Sequence, residues 1–138
     1  MKGVTSFERI RYTPNFHEAK KNNHAPVTLW GSGTPMREFL FVDDMAKAVV
    51  YALENNLPEH LYNVGSGKDV TIKALAQTIQ RVTGHTGEIV WDATKPDGTP
   101  RKLMDVSKIK EVGWSYTTEL EDGIKQTYDW FLENMIFG

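Results

Sequence analysis

Short β-branched or aromatic runs alternate with amphipathic helical stretches along this 138-residue chain, and that alternation restricts its fold more than any other feature. Residues 27–30, 38–42, 61–64 and 88–91 read as strands. The second glycine-rich turn, Gly65-Ser-Gly67, follows the third of these as Gly31-Ser-Gly33 follows the first. A short helix is expected over 16–22 and a longer one over 45–54, where Met45, Ala48, Val49, Ala52 and Leu53 fall on one face. Asp43 and Asp44 precede it, placed to accept from its free first-turn amides. Thr71 is a natural N-cap for a helix whose stripe is Ile72, Leu75, Ile79 and Val82 and whose stop is Gly84. A short helix is expected over 107–112, closed by Gly113. The last helix opens on a T-x-x-E capping box, Thr118 with Glu121, and carries Leu120, Ile124, Tyr128, Phe131 and Met135 on one side. The alternation predicts an α/β layer arrangement with a small sheet flanked by helices.

Two stretches resist assignment to regular elements. Pro14 restricts Thr13 to extended backbone, so residues 1–15 are left unassigned and a single domain is expected over 16–138. Residues 95–101, with two prolines and a glycine, must be loop.

Composition narrows the function classes. Sixteen basic and eighteen acidic residues give a net charge of −2, without the basic excess of a nucleic-acid binder. There is no cysteine, which removes disulfides, thiolate metal sites and a cysteine nucleophile and fits a reducing cytoplasm. No apolar run approaches the roughly 18 residues of a membrane span. The four histidines are scattered and form no metal-ligand spacing. Neither glycine turn completes G-x-G-x-x-G, since Met36 and Val70 stand at the sixth positions. These residues therefore point to turns, not to a cofactor loop.

One stretch says more. WGSGTPMREFLFVDD (residues 30–44) resembles the WGSGxPxREFxxVDD segment of GDP-L-fucose synthases, extended short-chain dehydrogenase/reductases. The resemblance continues through FHEAK (16–20), YNVGSG (62–67), Thr71-Ile72, KPDGTPRKL (95–103) and DWFLEN (129–134). It covers about residues 16–134. It implies the carboxyl-terminal, substrate-binding part of such an enzyme, whose other part is an NADP-binding Rossmann half. The family converts GDP-4-keto-6-deoxymannose to GDP-L-fucose, epimerising C3 and C5 and reducing the C4 ketone with NADPH. No Tyr-x-x-x-Lys is present: Phe16, Asn55, Ser66, Leu120 and Leu132 stand four residues after the five tyrosines. The chain alone is thus expected to lack a catalytic residue and a cofactor of its own, and to hold GDP or a GDP-sugar only.

Four residues are the candidate contacts. Arg37 matches the arginine of the REF motif, and a guanidinium suits a diphosphate because it donates two parallel hydrogen bonds; its alternative is a surface ion pair with Glu38 or Asp43. Trp30 matches a substrate-site position and can offer a flat face to a base or ribose, or else be a core tryptophan. Asp97 matches a loop position facing the nucleotide, where it would accept from ribose hydroxyls or guanine N–H groups; alternatively it caps its own Asp-Gly turn. Lys95, with Arg101, would neutralise phosphate or stay solvated. An apolar face and sheet edge otherwise covered by the Rossmann half predict a homo-oligomer, with neither nucleic acid nor membrane as a partner.

Overall fold

A computed structural model describes residues 12–134. Among the described residues, five helices and five short strands follow in the order α1 Tyr12–Lys21, β1 Val27–Trp30, β2 Met36–Glu38, α2 Val42–Glu54, β3 Asp69–Thr71, α3 Ile72–Thr83, β4 Ile89–Asp92, β5 Arg101–Lys102, α4 Ser107–Glu111 and α5 Leu120–Asn134. The expected α/β class holds, with the strands divided between two small sheets. β1 pairs with β4 in parallel, Val27 opposite Ile89 and Trp30 opposite Asp92. β2 is central in the other sheet, antiparallel to β3 and parallel to β5.

The first sheet and helices α1, α3 and α5 enclose the main core. Phe16, Ala19, Val27, Leu29, Leu75, Ala76 and Ile79 form it, with Ile89, Trp91, Leu120 and Ile124 packed around them. α3 follows its sequence signals closely. Thr71 Oγ1 accepts from the Ala74 amide at 3.0 Å, and Gly84 ends the helix at φ 71°, where a Cβ would be strained. A second cluster joins Ala48 of α2 to Val106, Ile109 and Trp114, with Tyr51, Tyr62, Val64 and Tyr116 against it.

Five expectations need correction. α1 begins at Tyr12, not Phe16, because Pro14 sits in the first turn, where its absent N–H is not needed. The second strand is Met36–Glu38, earlier than expected; the Met36 amide donates to the Pro100 carbonyl at 2.8 Å, and the chain leaves the sheet after Glu38 to enter α2. Residues 61–64 form no strand: Tyr62 and Val64 dock on the second cluster, and Leu61 is 78% exposed. An extended run with no neighbouring strand among the described residues has no ladder to join.

The two helix starts also differ. α2 begins at Val42, so Asp43 and Asp44 lie inside its first turn and its N-cap, Phe41, makes no side-chain cap. Asp44 instead reaches across the fold. Its carboxylate accepts from the Thr117 hydroxyl at 2.8 Å, the Thr118 amide at 2.8 Å and the Thr117 amide at 3.2 Å. This buried acid therefore takes the amide the Thr118 capping box was expected to use. Glu121, the other half of that box, binds Arg81 at 2.7 Å. The stripe of α2 is helical as read, but only Ala48 is buried; Met45, Val49 and Leu53 are exposed.

Candidate functional site

Strand β1 ends at Trp30 and runs into the turn 31–34, which returns the chain to β2 and Arg37. Loop 93–100, between β4 and β5, lies against both ends of this return. The Gly31 amide donates to the Asp92 carbonyl at 2.9 Å, extending the β1–β4 pairing. Gly31 has φ +82°, and a Cβ there would fall on Oδ1 of Asp97, well inside van der Waals contact. Glycine is thus required where turn and loop meet.

Asp97 joins the two segments. Its Oδ1 accepts from the Ser32 amide at 2.8 Å and its Oδ2 from the Ser32 hydroxyl at 2.6 Å. These bonds, the hydroxyl foremost, hold the Asp97 carboxyl below the usual carboxylate range. The carboxylate does not cap its own Asp-Gly turn, as one sequence alternative had it; it braces the neighbouring turn. Ser32 was not singled out as a site residue. The only signal was its place between two glycines, which gives no account of what its hydroxyl binds.

The other three candidates converge on the same loop. Trp30 is 72% exposed, which removes the core alternative, and Lys95 Nζ lies 5.4 Å from the centre of its ring. Arg37 is 8% exposed. Its Nη1 donates to the Met36 carbonyl at 2.6 Å, and a Cβ on Gly98 would stand 3.2 Å from its Nη2. The ion-pair alternative for Arg37 is not realised among the described residues. Glu38 turns instead to the Gly67 amide at 2.6 Å and the Met104 amide at 3.1 Å. A buried guanidinium without a carboxylate is unusual, because desolvated charge is costly unless it is paired.

Arg101 has a different task. Its Nε meets Asp69 Oδ2 at 2.5 Å and its Nη2 meets Oδ1 at 3.2 Å, tying β5 to β3. It is therefore committed within the sheet, where sequence had offered it to phosphate. Two concavities lie elsewhere. One runs along α2 beside Trp114 and the other between α3 and β4, and none of the four candidates lines either. The candidate site is a surface cradle.

A phosphate cradle is built from free backbone amides, at a helix N-terminus or in a turn. Here a carboxylate already holds the Ser32 amide in one turn and the Gly67 amide in the other. Among the described residues no group of three or more metal-ligating side chains occurs, and no helix is long and apolar enough to cross a membrane.

Known proteins resemble this chain in sequence and in fold. The NAD dependent epimerase/dehydratase family is matched over residues 8–65. The chain is 54% identical over 129 residues to the GDP-L-fucose synthase of Escherichia coli (strain K12), covering 86% of this chain and 40% of that protein. The chain belongs to the GDP-L-fucose synthase family of extended short-chain dehydrogenase/reductases. A plant relative, GDP-L-fucose synthase 1 of Arabidopsis thaliana, is 52% identical over 120 residues, 87% of this chain and 37% of that protein. Among solved structures, a gdp-l-fucose synthetase from Naegleria fowleri bound to NADP superposes with a TM-score of 0.82 at 30% identity, covering 89% of this chain and 39% of that one. This family member thus spans about two-fifths of the length of its curated relatives.

Proposed function

We propose that this chain supplies the nucleotide-sugar-holding part of a GDP-L-fucose synthase and binds GDP or a GDP-linked sugar at the cradle of Trp30, Arg37, Lys95 and Asp97. The observation that carries the reading is Arg37: buried, with its one hydrogen bond to a backbone carbonyl and no carboxylate paired with it among the described residues. A diphosphate would supply the missing negative charge and accept two parallel N–H bonds. Lys95 sits at the edge of the same cradle and adds a second, exposed cation. The indole of Trp30, held at the sheet edge and open to solvent, offers a platform for the base or ribose.

On this reading the chain binds and orients, and it does not carry hydride transfer by itself. That step needs a cofactor cradle and a tyrosine acid with its lysine; the sequence contains no Tyr-x-x-x-Lys, and both glycine turns have amides engaged by carboxylates. Titration with GDP, GMP and guanosine tests the reading. Affinity should fall in that order, with guanosine weakest, because the guanidinium answers to the diphosphate. Equal affinity for all three would remove Arg37 from the account.

A second reading rests on a separate observation. Val42, Met45, Val49 and Leu53 present an exposed apolar stripe along α2, with Leu53 82% exposed. Such a stripe favours association. Under this reading the chain is an oligomer, or a subunit completed by a separate Rossmann chain. Sedimentation at micromolar concentration separates the readings, since a monomeric mass rules out self-association. Added NADPH consumption on mixing with a Rossmann partner would mark completion in trans.

A further inference from the structure

We infer that Ser32 is a positioning residue of the nucleotide cradle: its amide and hydroxyl, clasped together by the Asp97 carboxylate, set the spacing between Trp30 and the loop that carries Lys95 and Gly98. This inference rests on the nucleotide-binding reading above and adds to it a residue with no assigned role.

The geometry is specific. Ser32 is two residues from Trp30, and Asp97 is two from Lys95 and one from Gly98. Two bonds of 2.8 and 2.6 Å between Ser32 and Asp97 therefore join segments 65 positions apart at the point where the indole, the ammonium and the guanidinium converge. Both bonds end on an ionised oxygen, and such charge-assisted bonds are about twice as strong as neutral ones. The Ser32 hydroxyl is further tied into its own turn. It lies 2.7 Å from the Thr34 hydroxyl and accepts from the Thr34 amide at 3.2 Å. The clasp thus fixes the turn's shape as well as its distance from the loop.

Turn and loop are also pinned at their far ends. The Gly33 carbonyl accepts from Lys73 at 2.9 Å, and the Pro100 carbonyl accepts from Met36 at 2.8 Å. The ends would stay docked if the clasp were lost, while the middle, which bears the ligand-facing side chains, would be free to part. Ser32 and Asp97 are both exposed and contribute nothing to the core. Their effect should therefore fall on affinity and not on folding. A ligand bound across the cradle benefits from a site already in place, because less order is lost on binding.

The clasp makes Asp97 act through Ser32, and that separates it from a direct ribose contact. A double-mutant cycle reads the difference. GDP affinity is measured by calorimetry for the whole chain and for Ser32→Ala, Asp97→Ala and the double variant, with thermal midpoints recorded alongside. Ser32→Ala should weaken GDP binding roughly tenfold, the scale of one charge-assisted hydrogen bond, with the midpoint nearly unchanged. Ser32→Thr, which keeps hydroxyl and amide, should restore it. The double variant should bind about as weakly as Asp97→Ala alone. Wild-type affinity in Ser32→Ala, or additive losses in the double variant, would overturn the inference while leaving nucleotide binding intact. No GDP binding by the unaltered chain would overturn both, and the two failures are thereby told apart.

Discussion

His85 stands edge-on to Phe16, ring centroids 5.5 Å apart, with both its ring nitrogens buried and lacking a hydrogen-bond partner among the described residues. His24 lies 5.5 Å away, and Lys20 donates to the Thr83 carbonyl at 2.9 Å, at the end of the helix that leads into His85. Burial first, and the nearby His24 second, push the His85 imidazole below its ordinary value.

The sign follows from linkage. A histidine whose folded value is depressed binds fewer protons folded than unfolded. Its neutral form is tolerated above the unfolded value of about 6.5, and stability is lost as pH falls below that point. Thermal midpoints between pH 8 and pH 5 should decline through this window. His85→Phe keeps the edge-on contact and removes the orphaned nitrogens, so it should flatten the profile. Identical profiles for the two proteins would exclude His85 as the cause.

Asp44 acts on the same acid limb, at lower pH. Burial opposes its ionisation, yet the bonds from Thr117 and Thr118 together outweigh it and hold the carboxyl below the ordinary carboxylate range. Its contribution is present above the unfolded value near 3.9 and is lost as pH falls through the folded value. Asp44→Ala strands the Thr117 and Thr118 amides and should cost about 3 kcal/mol by denaturant unfolding at pH 7. A cost below about 1 kcal/mol would mean those amides find other partners.

Gly31→Ala should destabilise by about 1–3 kcal/mol, since the backbone is at positive φ and the added methyl displaces Asp97. GDP affinity should fall with it. An unchanged midpoint in a thermal melt would show that Gly31 does not hold the positive φ described.

The stripe of α2 carries a prediction about association. Val49→Lys with Leu53→Lys changes two exposed positions, 54% and 82% exposed, so stability should shift by less than about 0.5 kcal/mol. Sedimentation should show a lower mass than for the unaltered chain. A mass that does not change would move any self-association to another face.

Much of the fold was legible because local chemistry decides it. The α3 helix was readable from Thr71, its 3.6-residue stripe and Gly84, and each signal acts within a turn of the residue that shows it. What escaped was set by distant partners. Asp44 reads as a cap for its own helix, but its bonds go to residues 73 and 74 positions away. Glu121 reads as a capping-box acid, but Arg81 draws it off. The apolar stripe of α2 specifies a helix without specifying what covers it. Of the candidate site, Trp30, Arg37, Lys95 and Asp97 were legible from a motif, and they meet at one loop. The bonds from Ser32 to Asp97 were not, because a serine between two glycines carries no sign of its acceptor.

If the buried Arg37 guanidinium awaits a diphosphate, calorimetric titration with GDP of the unaltered chain and of Arg37→Ala will show it. Saturable heat is expected for the unaltered chain and at least a roughly tenfold weaker affinity for the variant, whose folded state is checked by its thermal midpoint, with Arg37→Lys intermediate. Equal affinity in a folded Arg37→Ala, or no binding of GDP by the unaltered chain at millimolar concentration, would contradict it.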